Sequence, residues 1–134
     1  DTSYTAFDSK FTIPANSVKA GDQIVVTAYF DKGATNGSAG VQLHIGAVTL
    51  SELSWIGNIE GKMVVEYIIS VVATTGDTNC FHKGVQETSG TSQTQVQQGL
   101  ALNVDWTADA DIVFYGYITS GDNMTLYQQN YRII

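Results

Sequence analysis

The chain has 134 residues, 43% of them hydrophobic and only 14% charged, with a formal net charge of −7. That length suits one domain with a core of its own, and the composition excludes a disordered segment. Its six cations, Lys10, Lys19, Lys32, Lys62, Lys83 and Arg132, are scattered, so neither a phosphate backbone nor an anionic membrane finds a basic cluster.

The elements are read as strands throughout, over 4–13, 23–32, 41–50, 62–74, 79–86, 99–104, 111–119 and 124–133, with no helix. The first ends at Ile13 against Pro14, the one proline, which lacks a backbone donor and fixes its own φ. Gly21-Asp22 marks a turn. From Gln23 the chain alternates, with Ile24, Val26, Ala28 and Phe30 on one face and Val25, Thr27 and Tyr29 on the other. Turn clusters at 33–40 (GATNGSAG), 75–78 (TGDT) and 120–123 (SGDN) punctuate the rest. Many short strands with such punctuation predict an all-β sandwich or barrel. Eight is the jelly-roll number, and the expectation is a single eight-stranded antiparallel jelly-roll β-sandwich over 1–134.

Two strands are apolar on both faces, where a sandwich strand needs only one. In 62–74, Met63, Val65, Tyr67, Ile69 and Val71 stand opposite Val64, Ile68 and Val72. In 111–119, Ile112, Phe114 and Ile118 stand opposite Val113, Tyr115 and Tyr117. Burying such side chains is worth about 1.5–3 kcal/mol each. Either a folded-back loop or a subunit interface covers Val64, Ile68, Val72, Val113, Tyr115 and Tyr117, and the interface is the sharper expectation. The connection 51–61 (SELSWIGNIEG) is too apolar for a free loop. Its Trp55 and Ile56 are candidate surface or partner contacts. The connection 87–98 (ETSGTSQTQVQQ) reads as a long polar loop.

Chemistry is sparse. Cys80-Phe81-His82 has no zinc-finger or ribbon spacing, and its Cys and His share one strand face, so no metal site is expected. Nothing orients a histidine on Cys80 for nucleophilic catalysis, and a single cysteine forms no intrachain disulfide. Asp105, Asp109 and Asp111 lack the calcium-loop pattern, and turn hydrogen bonds are expected of Asp105 and Asp109. Phosphate-loop, dinucleotide and nucleophile-elbow motifs are missing. The expectation is no enzyme, no catalytic residue and no cofactor. Tyr115, Tyr117, Tyr127 and Tyr131 form either sheet paving or a sugar-binding row. No apolar run is long enough to span a bilayer. Without an initial Met or a signal peptide, the chain reads as a processed product or a piece of a longer polypeptide.

The stretches FTIPANSVKAGDQI, VQLHIGAVTL, MVVEYIISVVATTGDT and LNVDWTADADIVFYGYITSGDNMTLYQQNYRII together resemble a domain of tailed-phage and prophage structural proteins. The most specific parts are Ile13 to Asp22 and Val104 to Asp109. The departures fall at 51–61 and 87–98. The resemblance implies a jelly-roll module of a head fibre, a head decoration protein or a fibre tip, commonly homotrimeric. It implies a virion-surface location and a major capsid or other virion protein as partner; a host-surface glycan is a further candidate partner. Nucleic-acid binding and membrane insertion are not expected. A carbohydrate-binding β-sandwich module is the first alternative; a trimeric recognition head of the tumour-necrosis-factor or complement type is the second.

Overall fold

The computed structural model describes residues 4–32, 39–55, 61–76, 78–88, 94–118 and 124–134. Among these residues there are ten strands: β1 (Thr5–Ile13), β2 (Gln23–Lys32), β3 (Ala39–Ile45), β4 (Val48–Thr49), β5 (Leu53–Trp55), β6 (Gly61–Val71), β7 (Cys80–Thr88), β8 (Thr94–Leu102), β9 (Ala110–Ile118) and β10 (Met124–Ile133). No helix occurs among the described residues. All pairings are antiparallel. One sheet runs β1-β9-β3, and β4 and β5 share the far edge of β3. The other runs β10-β2-β6-β7-β8. The inner faces of the two sheets meet as a β-sandwich, the class that the alternating pattern predicts.

Period 2 decides which side chains fill the space between the sheets. Ile24, Val26, Ala28 and Phe30 of β2 and Met63, Val65, Tyr67, Ile69 and Val71 of β6 are buried there. Opposite them lie Val41, Leu43 and Ile45 of β3 with Ile112 and Phe114 of β9. Phe30 meets Phe114 edge-on at 5.3 Å between centroids, a preferred aromatic geometry. A bulge in β1 between Ala6 and Lys10 accompanies the inward packing of Phe7, whose ring lies 5.4 Å from Phe30.

Tyr67 spans the core because its cross-strand partner is Gly84. A Cβ on Gly84 would sit 2.9 Å from Tyr67 Cε1, inside van der Waals contact. The ring therefore lies down over the glycine, and its hydroxyl donates to the Ser51 carbonyl at 2.6 Å.

Three expected boundaries move. The stretch 41–50 is two strands, because Gly46 takes φ of 58° and turns the chain so that Ile45 pairs with Val48. The stretch 87–98 is largely strand: β7 runs on to Thr88, and β8 starts at Thr94, well before the expected 99. The connection 51–61 contributes β5, whose Leu53 is fully buried; Ile56 and Ile59 lie outside the described residues. Among the described residues ten strands thus stand where eight are expected.

The corner after β1 and the turn before β9 dock on each other. The Asn16 N–H donates to the Trp106 carbonyl at 2.9 Å, and the Ala15 N–H donates to Asp109 Oδ1 at 2.8 Å. Trp106 is buried, with its indole N–H directed at Cys80 Sγ at 3.2 Å. Beside it, Asn79 is 2% exposed and ties three backbone groups. Its Nδ2 donates to the Ala73 and Val104 carbonyls at 2.9 and 2.6 Å, and its Oδ1 accepts from the Val104 N–H at 2.9 Å. The IPAN and VDWTAD stretches therefore form one structural corner.

Candidate interaction faces of the two sheets

The chemistry-bearing residues are spent on structure. Cys80 and His82 share the inner face of β7. Burial pushes the Cys80 thiol above its usual pKa, partly offset by the Trp106 N–H. The Ser51 N–H donates to His82 Nε2 at 3.0 Å. His44 lies on the other sheet, facing outward. Asp105 Oδ1 accepts from the Thr107 N–H at 2.9 Å, an Asx turn. Asp111 accepts from Thr12 Oγ1 at 2.6 Å and pairs with Lys10 at 3.1 Å. Hydrogen bonds from Thr107 and from Thr12 and Lys10 hold Asp105 and Asp111, respectively, below the usual carboxylate range. Asp105 makes the turn bond expected of it, whereas Asp109 accepts from the distant Ala15 N–H instead of a nearby one. Both also line a cleft of about 260 Å³ at one end of the sandwich, with Gly46, Ala47 and Val48. Among the described residues no three of His, Cys, Asp and Glu gather as a metal-ligand group.

The six candidate interface residues all point away from the core, but they do not form one patch. Val64 and Ile68 lie on the outer face of the β10-β2-β6-β7-β8 sheet, with Val72 just past the end of β6. Ile68 pairs across the ladder with Val25, and Val64 with Tyr29. Val64 and Ile68 are half-buried within one chain, whereas Val72 is 57% exposed, Phe81 51% and Tyr29 44%. A cleft of about 200 Å³ opens on this side between Tyr29, Val64, Thr27, Gln128 and Asn130.

Val113, Tyr115 and Tyr117 stand on the outer face of the other sheet, on the opposite side of the molecule. His44 stacks on Tyr115, with centroids 3.8 Å apart and planes at 21°. Its Nε2 lies 2.8 Å from Gln42 Oε1. Partial burial lowers the His44 pKa, which favours the neutral imidazole at pH 7. Tyr117 is the cross-strand partner of Gly40, and a Cβ there would fall 2.5 Å from Tyr117 Cε1. Tyr4 meets Tyr117 edge-on at 4.9 Å. Burial, and then the nearby Glu52 carboxylate, raise the pKa of both phenols. Sequence reading picked out Tyr115 and Tyr117 but missed Tyr4, Gln42, His44 and Glu52 as their neighbours. Only three-dimensional pairing brings them together.

The tyrosine row is not a row. Tyr131 packs against Phe11 at 4.7 Å, and Tyr127 projects from the β10 bulge, 64% exposed. Trp55 is the last residue of β5, its backbone paired with Ala39. Ile56 lies outside the described residues.

No family model, curated protein or solved structure matches the chain. The functional reading therefore rests on the two faces and on the resemblance carried by the docked corner motifs.

Proposed function

We propose that this chain is a non-enzymatic structural module of the virion surface, of jelly-roll type, that works as a homotrimer decorating a capsid or forming a head fibre or fibre tip. Interleaving of the first two strands with the last two, β1 with β9 in one sheet and β2 with β10 in the other, supports the jelly-roll winding. The likeness of Ile13 to Asp22 and Val104 to Asp109 to tailed-phage structural domains supports the virion setting. A capsid or other virion protein is the partner that follows from it.

The observation that carries the trimer is the aliphatic outer face of the β10-β2-β6-β7-β8 sheet. Val64 and Ile68 stand half-buried at its centre, beside Val25, which its own chain already buries, and Val72 and Phe81 are left exposed. Outward apolar side chains on central strands cost stability unless something covers them. The two outer faces of a sandwich point in nearly opposite directions, so a closed three-fold ring cannot bury both. Repeated head-to-tail use of opposite faces would give an open filament. The face around Ile68 is the one placed in the ring, through Val64, Ile68 and Val72, where Thr27, Glu66 and Lys83 beside them stand to pair with polar groups of a second copy. Val113, Tyr115 and Tyr117 then remain outside it.

Light scattering at micromolar concentration tests the assembly and predicts a trimer. Gold-labelled antibody against the chain, applied to particles that encode it, tests the setting. Labelled capsids or fibres support the reading, and bare particles overturn it.

A further inference from the structure

The outer face of the β1-β9-β3 sheet differs in chemistry from the aliphatic one. Tyr115 and Tyr117 are two residues apart on β9, hence about 7 Å along the strand. Because Gly40 has no side chain, the Tyr117 ring lies over that position instead of standing off the sheet. Tyr4 braces it edge-on, and His44 is stacked on Tyr115. Planar polar groups border these rings: the Gln42 amide, the His44 imidazole and the exposed Glu52 carboxylate. Gln42 and His44 already pair through Oε1 and Nε2, but an apolar protein partner would strip water from the Glu52 carboxylate and from their remaining polar atoms, at a cost of about 1–3 kcal/mol for each one left unpaired.

A sugar ring presents the complementary surface, with a C–H face for the aromatic rings and hydroxyls around its rim for amide, imidazole and carboxylate. Charge narrows the class further. The face carries Glu52, while its Lys10 is already engaged by Asp111 at 3.1 Å, and the chain is −7 overall. Among the described residues an anionic saccharide finds no free cation there. We infer that this face binds a neutral pyranose, stacked on Tyr117 and Tyr115 and hydrogen-bonded by Gln42, His44 and Glu52. The inference deepens the reading of a virion-surface module, since a face outside the ring stays open to a host-surface glycan.

The test is a nuclear magnetic resonance titration of the full chain with short neutral oligosaccharides of glucose, mannose, galactose and N-acetylglucosamine, and with sialylated and phosphorylated counterparts. The expected result is a set of shifts centred on Tyr115, Tyr117, Gln42 and His44 for at least one neutral sugar. Affinity should fall roughly tenfold in Tyr117→Ala, and the anionic counterparts should bind more weakly by about as much. Tyr127→Ala, on the other sheet, should bind as the parent does. Mapping on the parent chain keeps the test valid if Tyr117→Ala folds poorly. Blank titrations, shifts centred elsewhere, or preference for the anionic sugars overturn the inference. So does loss of assembly in Tyr115→Glu, which would mean that a second copy occupies this face. Light scattering on the same samples separates the two readings. A monomer that binds sugar keeps this inference and removes the ring, and a trimer that binds none does the reverse.

Discussion

Asp109 accepts the Ala15 backbone N–H at 2.8 Å, across 94 positions of sequence. This bond joins the corner that ends β1 to the turn that begins β9, and β1 and β9 are neighbours in one sheet. Asp109→Ala removes the acceptor but leaves Ala15 able to reach water. Urea unfolding should show a loss of about 0.5–1.5 kcal/mol with an unchanged slope. A neutral result would mean that the Asn16–Trp106 bond holds the corner without it.

Asn79 carries more. It is buried, and its three hydrogen bonds satisfy the Ala73 and Val104 backbone at the mouth of the core. Asn79→Leu leaves those groups unpaired, so a loss of roughly 3 kcal/mol or more is expected. Asn79→Asp keeps the acceptor for the Val104 N–H but loses both donated bonds and places a charge there, so it should unfold almost as readily. Thermal melts of the two variants check this. An Asn79→Leu variant as stable as the parent would contradict it.

Gly84→Ala should cost about 1–3 kcal/mol, because the new methyl group would press on a Tyr67 ring already fixed by Ser51. Tyr67→Leu alone opens a cavity, whereas the double variant should recover part of the loss. A thermodynamic cycle on the pair should therefore give a coupling energy clearly different from zero.

Stability should fall at both ends of the pH scale. The buried Tyr67 phenol is raised above its ordinary value, first by burial. A raised pKa means that the folded state holds its proton longer than the unfolded state. Its contribution is full below about pH 10, where unfolded tyrosine titrates, and is lost above that. Asp105 and Asp111 are lowered by their hydrogen bonds, so the sign reverses. Their contribution is present above about pH 4 and is lost as the pH falls through their folded values. Denaturant midpoints across the range should show a shallower alkaline limb in Tyr67→Phe and a shallower acid limb in Asp111→Asn.

Much of this architecture was legible in the sequence where packing writes a period. β2, β6 and β9 alternate so regularly that inner and outer residues are assigned correctly one by one. The extension of β7 to Thr88 and the start of β8 at Thr94 were not legible. The polar Gln and Thr residues there carry no alternation, and a backbone ladder needs none. Gly46 does not stand out in the sequence, because Val48 and Leu50 continue the apolar pattern beyond a reversal that only its φ makes. Asn79 opens the expected strand 79–86, and nothing local marks its side chain as one that will be buried. Period 2 also says which side of a strand a residue takes, not which sheet the strand joins. The six outward residues were found, but their division between opposite sides of the molecule was not.

The account turns on the aliphatic outer face around Ile68. Sedimentation equilibrium of the parent, Ile68→Glu and Tyr115→Glu at micromolar concentration addresses it directly. The predicted result is a mass about three times the 14.4 kDa of one chain for the parent and for Tyr115→Glu, with Ile68→Glu a folded monomer. A parent that sediments at 14.4 kDa, or a trimer that survives Ile68→Glu, would contradict it.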